Sequence, residues 1–80
     1  MDYKHYRSIP NALKKYRNAR GLSQSKVAHI LGFKDKTWIS HWENGDALPN
    51  LVSAIKLSKI YQTSIDDLFS DLVTFISQGL

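Results

Sequence analysis

Apolar residues recur along the chain with the period of an α-helix, and no stretch alternates as a half-buried strand does. Five amphipathic segments separated by turn residues predict an all-α protein. In the first segment, Ile9, Leu13 and Tyr16 recur at i, i+4 and i+7. Ser8 is expected to cap this helix, with Pro10 in its first turn.

Two short helices joined by a tight turn are predicted between Gly21 and Gly45. Ser23 is a good N-cap for the first of them, and the carboxylate of Asp35 suits the N-terminus of the second. The first helix has a narrow apolar arc made of Val27, Ala28 and Leu31.

The third predicted helix has two sharply different faces. The polar face holds Lys36, Thr37, Ser40, His41 and Asn44. The apolar face holds Trp38, Ile39 and Trp42, with Trp38 and Glu43 at its borders. Such a helix can pack on its own domain with one side and enter a DNA groove with the other.

Two further helices are predicted in the C-terminal half. Asn50 caps the fourth, whose expected buried stripe is Leu51, Ala54, Ile55, Ser58 and Tyr61. Ser64 caps the fifth, which we expect to run unbroken from Ile65 to about Ser77. Its stripe consists of Ile65, Leu68, Phe69, Leu72, Val73, Phe75 and Ile76.

Composition narrows the class of protein. Eighty residues allow one domain, and the lack of cysteine excludes disulfides and thiolate metal sites. No apolar run is long enough to span a membrane, and no apolar segment typical of a signal peptide follows the N-terminus. We therefore expect a cytoplasmic protein without a membrane partner.

The charge is distributed unevenly. Residues 1–45 hold nine Lys/Arg and three Asp/Glu, a net +6, whereas residues 46–80 hold two Lys and four Asp, a net −2. A basic half beside an acidic half favours a surface that meets a polyanion, although ordinary charge scatter in a soluble protein is the alternative.

Several motifs at matching spacing resemble the helix-turn-helix domain of the phage Cro and C1 repressors and of the xenobiotic-response-element-type regulators. They are Leu22-Ser-Gln24, Val27-Ala28, Leu31-Gly32-Phe33, Ile39-Ser40, Trp42-Glu-Asn-Gly45, Pro49 and Ser64-Ile-Asp-Asp-Leu68. The resemblance runs from about Ile9 to Phe69. It implies a five-helix, lambda-repressor-like fold whose third helix lies in the major groove of double-stranded DNA.

The resemblance also implies roles for individual residues. The base-reading positions fall on Lys36, Thr37, Trp38 and His41. The phosphate-contacting positions fall on Ser23, Gln24 and Asn44. Lys34 and Ser40 are predicted as further phosphate contacts beyond those that the resemblance implies, with a solvated side chain as the alternative for Lys34. Arg17 and Glu43 match a structural pair that joins the first helix to the third.

The sequence departs from the common family pattern in three places. The turn from Gly32 to Lys36 is one residue longer, and Trp38 and His41 replace small polar or amide residues. Trp38 can either pack in the core beside Trp42 or contact thymine methyls, and both alternatives stay open. For Lys36, Thr37 and His41 the alternative to DNA contact is a solvated side chain.

The predicted organisation is an N-terminal arm at 1–8, the DNA-binding domain at 9–69 and a C-terminal helix extension at 70–80. The extension carries apolar residues that the domain has little left to cover: Leu72, Val73, Phe75 and Ile76. We expect them to form a symmetric homodimer. The alternative is that the tail folds back over Tyr3 and Tyr6 of the arm.

The leading hypothesis is a sequence-specific DNA-binding transcriptional regulator, in its simplest form a dimeric repressor on a palindromic operator. The alternative is an antitoxin-like or adaptor protein whose C-terminal helix binds another polypeptide. An enzyme is a poor third hypothesis, because His5, His29 and His41 form no triad or metal pattern with neighbouring residues. We expect no cofactor and no metal.

Overall fold

A computed structural model describes residues 7–80 of the chain, so most of the predicted arm, with Tyr3, His5 and Tyr6, lies outside the described residues. The described part is all-helical and contains no strand. Its helices are α1 (Leu13–Ala19), α2 (Gln24–Leu31), α3 (Thr37–Glu43), α4 (Leu51–Ile60), α5 (Ile65–Leu68) and α6 (Ser70–Ser77). The all-α fold class is confirmed. None of the helices described between residues 7 and 80 is long and apolar enough to cross a membrane.

Three predicted caps are present. The side chain of Ser23 accepts a hydrogen bond from the Lys26 amide, and that of Asn50 accepts one from the Ser53 amide. The side chain of Ser64 likewise accepts the Asp67 amide. These side chains supply acceptors for first-turn amides that have no partner within the helix, so they fix where α2, α4 and α5 begin.

The predicted start of α1 is wrong. Ser8 does not cap it and Pro10 does not lie in its first turn, because the helix begins only at Leu13. The Leu13 amide donates to Asn11 Oδ1 at 3.1 Å, and the preceding segment bonds elsewhere: the Ile9 amide donates to the Gly45 carbonyl at 2.9 Å. The Ala12 amide likewise donates to the Leu68 carbonyl at 2.8 Å, and these two long-range bonds hold residues 9–12 out of the helix.

The core lies where α1, α2, α3, α4 and the two C-terminal helices meet. Its buried residues are Leu13, Val27, Ala28, Ile39, Trp42, Leu57, Tyr61, Leu68, Phe69 and Leu72. Phe33, from the turn between α2 and α3, packs edge-on against Trp42 with ring centroids 5.7 Å apart. The inner face of α3 therefore packs against residues that precede it and residues that follow it in the sequence.

The predicted buried stripe of α4 is partly wrong. Ala54 and Tyr61 are buried as expected, but Leu51 and Ile55 are exposed. Ser53 and Leu57 are buried instead. Because apolar residues surround this helix on most sides, periodicity alone could not select the face that packs on the core.

The predicted single C-terminal helix is also wrong, because it breaks at Phe69, whose φ is −130° and ψ 39°. A continuous helix would use the Leu68 carbonyl for the Leu72 amide, but this carbonyl accepts the Ala12 amide at 2.8 Å. The break leaves Leu68, Phe69 and Leu72 all buried.

Candidate nucleic-acid interface

The outer face of α3 is a continuous polar surface. Lys36, Thr37 and His41 are exposed, whereas Ile39 and Trp42 on the opposite face are buried. A residue pair four positions apart, such as Thr37 and His41, lies on one side of a helix. The helix therefore presents side chains that can donate to and accept from base edges, on a backbone held by the core.

The start of α3 is one residue later than predicted. The helix begins at Thr37, and Lys36 occupies the flanking position at which Asp35 was expected. Asp35 lies one residue before this position and still caps the helix, because its Oδ1 accepts a hydrogen bond from the Thr37 amide at 2.9 Å. Hydrogen bonds from Thr37 hold the pKa of the Asp35 carboxyl below its usual value.

Trp38 does not pack in the core, since 53% of its surface is exposed. Its ring lies edge-on to that of His41, with centroids 5.7 Å apart. The Nδ1 atom of His41 in turn lies 3.5 Å from Asp46 Oδ2. Trp38 and His41 thus form one exposed aromatic pair beside the polar face of α3.

A buried ion pair joins α1 to α3. Arg17 Nε donates to Glu43 Oε2 at 2.6 Å and Arg17 Nη2 donates to Glu43 Oε1 at 3.0 Å. Their side chains are only 9% and 3% exposed, respectively. Hydrogen bonding to Glu43 raises the pKa of Arg17. The pKa of Tyr61 is also raised, mainly by burial and to a smaller extent by the negative charge of Glu43.

Gln24 joins the same network, which the sequence prediction missed. Its Nε2 donates to Glu43 Oε1 at 3.0 Å, so α1, α2 and α3 meet at one carboxylate. Arg17 Nη1 also donates to the carbonyl of Leu22, two residues before α2, at 2.8 Å. The geometry between α2 and α3 is therefore held by charge-assisted hydrogen bonds as well as by apolar packing.

Asn11 is a second residue that the sequence prediction missed. Its Nδ2 lies 3.0 Å from the Trp42 carbonyl and 3.4 Å from that of Glu43, and donates to both. These carbonyls lie at the C-terminal end of α3, where intrahelical partners run out. A local pattern gives no signal for this contact, because Asn11 and Glu43 are 32 positions apart.

The predicted phosphate contacts lie at two places. Ser23 and Gln24 are at the N-terminus of α2, whereas Ser40 and Asn44 are on α3 and Lys34 is in the turn between these helices. Ser23, Lys34 and Asn44 are exposed, and Ser40 and Gln24 are half-buried. Asn44 Nδ2 is 3.5 Å from Ser40 Oγ, which aligns these two side chains along the helix.

The predicted dimer residues divide into two groups. Leu72 is only 6% exposed and belongs to the core, and Val73 packs against the core. The expectation that these two lack cover is therefore wrong, because the break at Phe69 turns α6 onto the domain. Phe75 is half-buried, and Ile76 remains 40% exposed.

Comparison with known proteins decides the family. The family model described as helix-turn-helix matches residues 13–68, which is α1 to α5. The chain belongs to the helix-turn-helix family. This confirms the resemblance to the Cro and C1 type of domain.

Two curated helix-turn-helix relatives are similar to the chain. A protein of Enterococcus faecalis named "HTH-type transcriptional activator BcrR" is 36% identical over 64 residues, 78% of this chain. The match spans only 31% of that relative's length. A protein of Bacillus subtilis named "Uncharacterized HTH-type transcriptional regulator YgzD" is 32% identical over 61 residues, covering 76% of this chain and 91% of its own length.

No solved structure gives a significant match to the chain. Both relatives are named as HTH-type transcriptional regulators or activators, in agreement with the family of the chain.

Proposed function

We propose that the protein is a sequence-specific regulator that reads bases in the major groove with α3. The observation that carries this proposal is the separation of faces on α3, with Lys36, Thr37 and His41 outside and Ile39 and Trp42 inside. A major groove about 12 Å wide admits a helix, and each of these outer side chains can reach base edges.

Phosphate contacts complete the proposed complex. The N-terminus of α2 presents free amides and the exposed Ser23, which suits an anion. The second N–H of Gln24 Nε2 is available to a phosphate while the first donates to Glu43. Lys34, Ser40 and Asn44 add the remaining contacts, so backbone binding fixes the register in which α3 reads sequence.

Trp38 is proposed as an apolar base contact. Its exposed ring lies beside His41 on the side of α3 that would enter the groove. An aromatic side chain in that place can cover thymine methyl groups and sugars. Loss of the ring would therefore weaken binding to sites that contain thymine at the contacted position.

We further propose that two copies bind a palindromic operator as a homodimer through the C-terminal helix, and that the bound dimer represses by occluding a promoter. The name of the Enterococcus relative makes activation the competing outcome. A reporter placed behind the operator separates them, because repression lowers its output when the protein is produced and activation raises it.

Selection from random-sequence duplex DNA tests the proposal as a whole. The expected result is one enriched palindrome whose half-sites are centred about 10 base pairs apart, one helical turn. Enrichment of a single half-site would retain base reading and reject the dimer. If no sequence were enriched above the starting pool, sequence-specific regulation would be rejected.

A further inference from the structure

Most of the large apolar side chains exposed in residues 7–80 lie not on the C-terminal helix but on α4 and α2. Seven large apolar side chains are exposed in this part of the chain. Four of them form the outer face of α4 and the adjoining edge of α2: Ile30, Leu51, Val52 and Ile55. Two more, Ile76 and Leu80, lie at the C-terminal end.

Between α2 and α4 this surface is concave. Ile30, Leu31, Ile55 and Ile60 line a groove of about 270 Å³ together with Lys56 and Lys59. We call it the α2–α4 groove. Ile30 and Ile55 are 47% and 44% exposed. Exposing this much apolar surface to water is unfavourable in free energy, so covering it would stabilise a complex. None of the groove residues belongs to α3, so a bound segment leaves the polar face of α3 accessible.

The end of α6 carries an apolar stripe that could fill such a groove, and we call it the insert. Leu72, Ile76 and Leu80 recur every four residues, and their exposure rises from 6% to 40% to full exposure. The apolar stripe therefore continues past the edge of its own core. The Leu80 amide donates to the Ser77 carbonyl at 3.2 Å, which keeps Leu80 close to the end of the helix.

Charge favours the pairing of these two surfaces over the pairing of either with itself. The groove carries Lys56 and Lys59, and α4 has no acidic residue that could meet them in a second α4. The C-terminal end of α6 carries the negative end of the helix dipole and no basic residue in its last turn. Lysines at the rim of the groove would supply that missing positive charge.

We propose that the end of α6 of one protomer lies in the α2–α4 groove of a second copy, and that the second copy returns the same contact. A two-fold axis makes the exchange reciprocal, so two grooves are filled and the buried area doubles. This matters because a specific interface buries about 800 Å² per partner, more than one small groove provides. The proposal rests on the homodimer of the proposed function and names the surface that α6 would bind.

Sedimentation equilibrium of the full chain and two glutamate variants tests the exchange. Ile55→Glu blocks the groove and Ile76→Glu blocks the insert. Each is expected to weaken self-association by at least about tenfold, because a charge would enter an apolar contact. Leu51→Glu is the matched control: Leu51 is an exposed apolar residue of the same helix that does not line the groove. It should leave association unchanged.

Mixing the two variants gives the decisive result. An Ile76→Glu chain keeps its groove and an Ile55→Glu chain keeps its insert, so one of the two contacts can form. We expect a one-to-one heterodimer at concentrations at which each variant alone is monomeric. A symmetric contact through only α4 or only α6 would give no such restoration, and that result would overturn the proposal.

A second groove variant guards against misfolding of the first. Lys56→Glu combined with Lys59→Glu changes only exposed side chains and should also weaken association at least about tenfold. If Ile76→Glu dissociates the dimer but neither groove variant does, the α2–α4 groove is rejected as the binding surface and a dimer through the C-terminal helix is retained. If the unmodified chain is monomeric at all concentrations, both the homodimer and the exchange are rejected. Base reading by α3 is tested separately by the DNA selection.

Discussion

At the scale of single residues, Glu43 joins α3 to the two helices that precede it. Its carboxylate accepts from Arg17 Nε, Arg17 Nη2 and Gln24 Nε2, and so receives donors from two other helices. The family resemblance predicted the partner Arg17, since the pair belongs to a known motif. The contribution of Gln24 could not be predicted, because the same position was assigned to phosphate.

Replacement of Glu43 by alanine is expected to lower the free energy of unfolding by about 3–5 kcal/mol, because it leaves the buried Arg17 guanidinium without its partner. Urea denaturation measures this loss. Glu43→Gln keeps an acceptor in place and should cost less, while Lys14→Ala on the exposed side of α1 should change stability little. A loss below about 1 kcal/mol for Glu43→Ala would show that the pair does not hold α1 to α3.

Asn11 is expected to stabilise the fold through the hydrogen bonds that its side-chain amide donates at the end of α3. Asn11→Ala removes the bonds to the Trp42 and Glu43 carbonyls and the acceptor for the Leu13 amide, at an expected cost of about 1–3 kcal/mol in thermal unfolding. Asn11→Asp keeps the acceptor but sets a negative charge beside the carbonyls that end α3, and should be at least as destabilising as alanine. An Asp variant as stable as the unmodified protein would contradict this contact.

At the scale of elements, the ends of helices were predictable where the capping residue acts on its own neighbours. Ser23, Asn50 and Ser64 each bond an amide three residues further on. The start of α1 and the break between α5 and α6 depend on bonds from Ile9 to Gly45 and from Ala12 to Leu68. No local pattern carries that information, which explains why both boundaries were predicted wrongly.

The turn that ends α3 is a second place where local and long-range requirements meet. Gly45 has φ of +78°, and a Cβ added to it would lie 2.6 Å from the Ile9 amide nitrogen. Gly45→Ala should therefore cost about 3 kcal/mol, from left-handed strain together with displacement of the N-terminal segment.

Gly32→Ala is the matched control for this substitution. Gly32 has a similar φ of +82° but nothing within 4 Å of an added Cβ. It should cost only the backbone strain, about 1–2 kcal/mol. Equal losses for the two variants in chemical denaturation would mean that close packing against Ile9 contributes nothing to stability.

At the scale of the whole molecule, fold class and family followed from the sequence because local propensity, periodicity and motif spacing all agree. The exposed surfaces did not follow. Apolar residues on several sides of α4 left its buried face undetermined, and the turn at Phe69 hid Leu72 from the surface. The interface predicted for the C-terminal helix therefore moves to its exposed end and to the α2–α4 groove.

Base reading by the outer face of α3 can be measured as the ratio of dissociation constants for the selected operator and a scrambled duplex, at one salt concentration. Lys36, Thr37 and His41 are exposed, so their joint replacement by alanine leaves the core intact. We expect the triple variant to discriminate between the two duplexes at least about tenfold less than the unmodified protein does. An unchanged ratio, with both affinities reduced equally, would contradict base reading and leave α3 with phosphate contacts alone.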